Sequence, residues 1–556
     1  MLLRLSFFAF FGLISCFLTV PAESEVVPAT ADSIRALVGA QPAGATPDPL
    51  DADLRRFYDA RNDEPAWGNP EQVASLGSIL AGAADQGLES SFSRAQMPAG
   101  SADTAARDVA LSRVALAYAK ALAAGRVDPG QIETDWGISL PSVDVAAGLN
   151  SALKRDLTGW YDSLAPHHPA YRRLVEGLRH YRGIASSGGW APIPRGDPMK
   201  LGDVSERVRA LRSRLEAEGD LQPIPAAATV AAPATAAPAS AVLAIAAPAS
   251  ATTVAAASDA VVPAPAPNVA PTPDPATVFD MDVDAAVRRF QRRYGIVVDG
   301  VVGARTFAAM NVPVRARIEQ IELNLERWRS LPHDLGTSYM VANVPAETLT
   351  VVEDGEPVLD MKVVVGDVEH PTPVVRTFMV AVTLNPTWTI PASIVTNEIV
   401  PKSKRDHSYL VSNEIVFTPG RGWQQLAGPK NPLGQIKFET PNRFDVYLHD
   451  TPSRIAFDRY FRAQSHGCVR LERADELAGF VLHDMGWDDE QIGKAVATGE
   501  GRRIDLKHRW RVYLLYATSF VDEDGTMEFR DDLYGRDARL RDALTAMRVS
   551  ERLSAR

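Results

Sequence analysis

Ser465-His466-Gly467-Cys468-Val469-Arg470 is the stretch from which the rest of this chain is read. Cys468 is one of two cysteines in 556 residues, and the other, Cys16, lies in an apolar N-terminal run. If that run is removed, the mature chain has a single thiol and no internal disulfide. A lone thiol beside a histidine is a candidate nucleophile. A second histidine, His449, closes the run Asp445-Val446-Tyr447-Leu448, which reads as a strand and ends fifteen residues before Ser465. Downstream, Arg473 to Leu482 reads as a helix, which predicts that Cys468 sits near a helix N-terminus, where amides and dipole favour a thiolate. A free thiol with a pKa near 8.5 ionises by only a few per cent at neutral pH, and a neighbouring histidine would raise the reactive fraction. Gly467 would let the backbone approach a substrate carbonyl closely, and amides near Cys468 could hold an oxyanion. Two other readings use the same residues. Zinc ligation is one, but Cys468 and His466 are two apart, no fourth ligand is evident and Asp450 is badly placed beside His449. A buried structural cysteine with core histidines is the other. No metal or cofactor is expected.

The N-terminus reads as an export signal. Arg4 is the only charge before Glu23, Leu5 to Val20 is almost wholly apolar, and Val20-Pro21-Ala22 predicts cleavage after Ala22. The run is shorter than the roughly 20 residues of a membrane span. Leu13-Ile14-Ser15-Cys16 resembles a lipoprotein cleavage box, so membrane attachment is expected only if Cys16 is lipidated or the signal stays uncleaved. Net charge is −11, which argues against a nucleic-acid partner.

Outward from the motif, the expected fold class is an α+β multidomain chain. After a signal at 1–22, residues 23–50 are Ala/Pro-rich and read as disordered. Residues 51–199 read as one helical domain, with an apolar stripe from Val109 to Leu122 and another through Tyr171, Leu174, Leu178 and Tyr181. Residues 200–221 and 277–312 form a three-helix unit. Its first helix is expected to be capped by Asp203 with Glu206 three residues on, and its stripe is Val204, Val208, Leu211 and Leu215. Its second helix starts near Asp282, and its third runs from about Arg305 to Met310. The unit is split by an Ala/Pro-rich linker, 222–276, that lacks Lys and Arg. Residues 313–334 read as a connecting helix bearing Ile318, Ile321, Leu325 and Trp328. The period then changes from 3.6 to 2. Strands are predicted at Tyr339–Pro345, Thr348–Glu353, Pro357–Gly366, Thr377–Ile390, Phe444–His449 and Trp510–Phe520, with a hairpin turn at Asp354-Gly355. Residues 335–521 are thus a mainly-β domain, and 522–556 are a C-terminal extension with a helix over Asp537–Leu553. The Gly/Pro-rich segment from about Ser403 to Lys437 is expected to act as a lid.

A histidine, about fifteen residues, then Ser-His-Gly-Cys, an apolar residue and Arg resembles the catalytic signature of the L,D-transpeptidases (YkuD family). Asn385-Pro386-Thr387-Trp388-Thr389-Ile390-Pro391, Asn431-Pro432-Leu433-Gly434-Gln435-Ile436-Lys437-Phe438, and Phe57-Tyr58 with Trp67 resemble the large YcbB-type subgroup. Ala286-Val287-Arg288-Arg289-Phe290-Gln291 with Asp299-Gly300-Val301-Val302-Gly303 resembles a peptidoglycan-binding three-helix domain. Two departures, Ala304 where proline often stands and the split by the linker, leave open whether this unit grips glycan or packs against the catalytic domain. The resemblance implies a periplasmic enzyme whose Cys468 attacks a stem tetrapeptide, expels D-alanine and passes the acyl group to the diaminopimelate side-chain amine of a second stem, giving a 3→3 cross-link. It implies His449 as general base, oriented by the carbonyl of Asp450, and His466 and Gly467 shaping the oxyanion site. Arg470, Trp388 and Ser465 are implied on the substrate side; for Arg470 a structural ion pair is the equal alternative, and for Trp388 a core role. Peptidoglycan stem peptides and carbapenem inhibitors are the implied partners. A carboxypeptidase or cysteine peptidase on the same peptides, with water in place of the amine, uses the same thioester. A wall-binding scaffold with an idle site is a third reading, opposed by the intact His449/Cys468 pair.

Overall fold

The computed structural model describes residues 29–39, 49–88, 91–92, 97, 103–223 and 274–554. The signal run with Cys16, and all but the ends of the 222–276 linker, lie outside the described residues. Within the stretch read as disordered, Ala31–Gly39 is a helix whose Ile34 is fully buried. Ile34 docks on the helical core, with Val38 packed against it and Arg35 paired to Asp63 at 2.7 Å.

Helices Pro49–Asp59, Pro70–Ala81, Thr104–Ala124, Val145–Ala152 and Leu157–Asp162 enclose a core of Phe57, Tyr58, Trp67, Leu80, Leu111 and Leu116. Its polar groups are satisfied internally, as burial demands. Asp108 accepts from the Tyr58 hydroxyl at 2.6 Å and from the Trp67 amide at 2.8 Å, and the Trp67 indole donates to Ser112 at 2.9 Å. Helix Pro169–Ser186 does not join this core, contrary to the single helical domain expected for 51–199. Tyr171, Leu174, Leu178 and Tyr181 instead pack with helices Glu206–Ala217, Met281–Arg293 and Val314–Arg329.

Asp203 does not cap the first helix of the split unit. Its backbone pairs with Phe279, and a β-bridge joins Val204 to Val278, so the cap falls to Ser205 and Val204 is left exposed. Asp280 caps the second helix by accepting from the Val283 amide at 3.0 Å. Gln291 is buried and closes the Asp299-Gly300 turn, donating to Asp299 Oδ1 at 2.8 Å and accepting from the Gly300 amide at 2.9 Å. The unit is anchored sideways: Arg293 pairs with Asp220 and Glu218 and donates to the Met527 carbonyl at 3.0 Å, and Tyr181 and Tyr294 both donate to Glu218.

The β domain is built from β1 (Trp136–Gly137), β2 (Tyr339–Asn343), β3 (Thr348–Glu353), β4 (Glu356–Gly366), β5 (Val374–Leu384), β6 (Trp388–Thr389), β7 (Ile415–Thr418), β8 (Gly422–Gln425), β9 (Ile436–Glu439), β10 (Leu448–His449), β11 (Ala463–Ser465), β12 (Val469–Leu471), β13 (Arg502–Leu515), β14 (Ser519–Val521) and β15 (Met527–Phe529). The order β5-β13-β2-β3-β4-β12-β10-β9 closes on itself, because β9 also pairs with β5. Closure leaves no edge in this ring. β1, from the helical part of the chain, adds outside β5 in parallel, and β11 pairs with the end of β4. Asp354 and Gly355 both have positive φ, as a two-residue hairpin turn requires. Val363, Val365, Val382, Phe438, Leu448, Val469 and Leu471 fill the interior, with Leu477 and Leu482 of helix Ala474–Leu482 beneath.

Three predicted strands differ from those observed. Phe444–His449 shrinks to Leu448–His449 because Asn442 accepts from the Phe444 amide at 2.9 Å and donates to the Val446 carbonyl, and Asp445 takes a positive φ; a local side-chain turn outcompetes the ladder. Thr377–Ile390 breaks at Asn385, whose positive φ turns the chain out of the sheet while its side-chain amide donates to the carbonyls of Ala495, Val496 and Glu500. Trp510–Phe520 begins earlier, at Arg502, and ends at Leu515; charged residues hide its first half. Between β5 and β9 the chain makes one excursion, 386–435. It carries helices Ala392–Ile394 and Val400–Arg405 around a π-helical turn at Val395–Ile399, and the small sheet β6-β8-β7, over a core of its own formed by Ile390, Ile399 and Ile415. The segment expected as a lid, from about Ser403 to Lys437, lies mostly in this excursion, which starts earlier and has a small core of its own.

Candidate active site

The site forms where β10 and β12 run parallel. Their register pairs Leu448 with Val469 and His449 with Arg470, and the Val469 amide donates to the Tyr447 carbonyl at 3.1 Å. Cys468 therefore enters a strand, not a helix. The helix that follows starts only at Ala474, so a helix N-terminus does not act on the sulfur. Cys468 is half-buried, and desolvation pushes its thiol up. The amide and hydroxyl of Tyr447, then Lys437 and Arg470, pull it back down in part. At neutral pH the resting group is a thiol.

His449 is 4 % exposed. Burial first, then the nearby Arg470 guanidinium, depress its pKa to about 3. Its Nδ1 lies 2.5 Å from the Asp450 carbonyl oxygen. A carbonyl only accepts, so Nδ1 carries the proton and Nε2 keeps its lone pair. The imidazole is thus neutral and able to accept a proton. His168, stacked on Trp328, is likewise pushed down, to about 4, mainly by burial. The unfolded chain takes up protons below about pH 6.5 that these folded rings refuse. Stability contributed by the neutral rings is complete above that value and lost as pH falls toward 4 and then 3. His449→Gln is expected to flatten this acid loss by an amount on the order of a few kcal/mol. Urea unfolding midpoints at pH 7 and pH 4.5 measure it, and equal acid losses in both proteins would contradict it.

The loop that carries Cys468 is tied down from within. Ser465, 1 % exposed, donates to the Cys468 carbonyl at 2.6 Å and accepts from the Gly467 amide at 3.1 Å. Both hydrogen bonds of its hydroxyl stay inside the loop, so Ser465 shapes the loop. The Gly467 amide is spent on it, which leaves the Cys468 amide, with no protein acceptor among the described residues, as the candidate oxyanion donor. Gly467 has φ +105, while a Cβ there would meet nothing nearer than 3.6 Å. Glycine is needed for conformation rather than for space. Thr372, buried, donates to the Gly467 carbonyl at 2.8 Å and braces the loop from outside.

Arg470 is partly buried, its pKa lowered by desolvation, and its Nε has no partner. No carboxylate pairs with it among the described residues, so the structural ion pair is absent. Trp388 reaches the hydroxyl of Tyr447 and also borders the excursion's core. His466 is the outer histidine, 42 % exposed at its side chain, with Nε2 2.8 Å from Glu398 Oε1. The sequence reading missed Tyr447, Glu398 and Thr372. Tyr447 was within reach, since it precedes His449 by two and a strand's period of two puts both on one face, with rings 5.7 Å apart. Glu398 and Thr372 are long-range partners with no local signal. No three-residue His/Cys/Asp/Glu group suited to a metal occurs among the described residues.

Three family models match the chain. "L,D-transpeptidase catalytic domain" covers residues 337–503, "Scaffold domain" 52–178, and "Putative peptidoglycan binding domain" 268–310. A Haemophilus influenzae protein named "Putative L,D-transpeptidase" is 29 % identical over 241 residues, which is 40 % of this chain and 49 % of that protein. The chain thus spans about half the length of this curated relative. Among solved structures, an L,D-transpeptidase from Mycobacterium smegmatis aligns at 15 % identity over 32 % of this chain and 58 % of its own, with a TM-score of 0.19. L,D-transpeptidase 3 from Mycobacterium tuberculosis, solved with a faropenem-derived adduct, aligns at 18 % over 32 % and 60 %, with a TM-score of 0.18. Scores this low add nothing to the family match. The closed β domain in which β10 and β12 pair His449 with Arg470 is a YkuD-type L,D-transpeptidase catalytic domain, carried on a helical region together with a peptidoglycan-binding domain.

Proposed function

We propose that this chain is a periplasmic L,D-transpeptidase that forms 3→3 peptidoglycan cross-links through a thioester on Cys468. The observation that carries the reading is the β10–β12 pairing, which aligns His449, a neutral and orientated imidazole, with Arg470, two residues after the only cysteine among the described residues. In the first half-reaction His449 Nε2 takes the thiol proton as Sγ attacks the diaminopimelate carbonyl of a stem tetrapeptide. The Cys468 amide holds the oxyanion, and the Tyr447 hydroxyl steadies the sulfur. As the C–N bond breaks, His449 returns its proton to the departing D-alanine. In the second half, a diaminopimelate side-chain amine of another stem attacks the thioester, and Cys468 leaves as the thiol. Arg470, unpaired and next to the nucleophile, holds a substrate carboxylate. Trp388 walls the donor pocket through its contact with Tyr447.

Export rests on the Arg4-to-Ala22 run, which lies outside the described residues. No described helix is long and apolar enough to cross a membrane. Incubating the enzyme with disaccharide-tetrapeptide tests the function. A dimer lacking one D-alanine, with a diaminopimelate–diaminopimelate link in its fragments, is expected. Tripeptide alone would make it a carboxypeptidase, and unchanged substrate an idle scaffold.

A carbapenem should also acylate Cys468, because the same sulfur and oxyanion donor open a strained β-lactam carbonyl. Peptide mass spectrometry should find the intact drug mass on the peptide holding Cys468. An adduct on a serine would contradict the thiol mechanism.

A further inference from the structure

The two half-reactions differ in their protons. In the first, one proton leaves sulfur and returns to the departing amine, so one base suffices. In the second, the acceptor arrives as an ammonium, R–NH₃⁺, and ends as an amide nitrogen with a single hydrogen. It sheds two protons, and sulfur recovers only one. The other must leave before attack, since an ammonium has no lone pair. His449, sealed and 4 % exposed, accounts for the proton that goes back to sulfur.

A second set of bases stands against the loop that carries Cys468. His466 Nε2 lies 2.8 Å from Glu398 Oε1, and His370 Nδ1 lies 3.0 Å from Asp367 Oδ1. The two rings are 4.6 Å apart, and both side chains are close to half exposed. The His370 loop lies against the nucleophile loop: its carbonyl is 3.8 Å from where a Gly467 Cβ would stand, and the next residue but one, Thr372, bonds the Gly467 carbonyl. Glu398 comes from the π-helical turn of the excursion, and its other oxygen accepts from Lys402 at 2.7 Å. Each carboxylate takes one ring N–H, which leaves the second ring nitrogen to accept. The two pairs therefore offer carboxylates and imidazoles, whereas Arg470 and Lys437 bear on the sulfur.

We propose that the Glu398–His466 and Asp367–His370 pairs form the acceptor site, which binds a primary ammonium and takes from it the one proton that His449 does not, releasing it to solvent. The inference rests on the thioester reading above and assigns to named residues the place where its acceptor amine, arriving protonated, is received. The chemistry balances: R–NH₃⁺ plus imidazole gives R–NH₂ plus imidazolium; the amine forms C–N as C–S breaks; the second N–H proton passes through His449 to sulfur.

Separating the halves tests it. Acyl-enzyme is formed on Cys468 with tetrapeptide, isolated, and chased either with a stem amine or with hydroxylamine, which is already unprotonated at neutral pH. Intact mass follows each step. In Glu398→Gln, and independently in Asp367→Asn, acylation should stay within about threefold of the parent enzyme and the stem-amine chase should slow by tenfold or more, while the hydroxylamine chase stays near parental rate. Equal slowing of both chases, or unchanged stem-amine chase in both variants, would overturn the proposal and leave these pairs a lid contact. A parent enzyme that forms no acyl-enzyme would instead remove the thioester reading itself, and this proposal with it.

Discussion

Cys468→Ala is expected to lower cross-link formation by roughly 10⁴-fold or more, with the fold intact. The substitution removes one sulfur atom from a half-buried position. The loop around it is held by Ser465 and Thr372, neither of which bonds the sulfur. Thermal melting should therefore move little while product disappears. Cys468→Ser should be nearly as inactive, because a hydroxyl is a far weaker acid than a thiol already pushed up by burial. A folded Cys468→Ala protein that still cross-links stems would rule the mechanism out.

His449→Ala is expected to slow acylation by about 10²–10⁴-fold, the usual worth of a positioned general base. The structure adds a sharper expectation. His449 is neutral at rest, and the groups that pull the thiol down are Tyr447, Lys437 and Arg470. On the proposed mechanism the base would act during attack, without a standing thiolate–imidazolium pair. Thiol alkylation against pH should therefore give nearly the same profile in His449→Ala as in the parent. A large shift of that profile toward higher pH in His449→Ala would show that a resting ion pair exists after all.

Much of this was legible because it was local. The Ser465-to-Arg470 motif, the Asp354-Gly355 turn and the periods of β3 and β4 each follow from neighbours in sequence. The predicted strand over Thr348–Glu353 is the one observed, since both its ends are set by adjacent turns. What escaped depended on distant partners. Nothing near Trp136 announces a strand, because β1 exists only by pairing with β5. Asn385 and Asp445 look like ordinary strand neighbours until long-range bonds or an asparagine turn fix their positive φ. The placement of Cys468 at a helix N-terminus went wrong for a related reason. Val469–Leu471 is too short to read as a strand, yet pairing with β10 and β4 on either side makes it one and delays the helix. Of the candidate site, Cys468 and the inner histidine were readable. The loop-bracing bonds of Ser465 were not, because its hydroxyl's partners, Gly467 and Cys468, are backbone groups that no pattern reveals.

The most direct test of the account is to catch the intermediate. Enzyme mixed with disaccharide-tetrapeptide in the absence of any amine acceptor, quenched in acid within the first turnovers and digested, should carry a disaccharide-tripeptide mass on the peptide containing Cys468. One equivalent of D-alanine should be released with it, and neutral hydroxylamine should discharge the adduct. Product formed at full rate with no adduct on Cys468, or an adduct on any other residue, would contradict it.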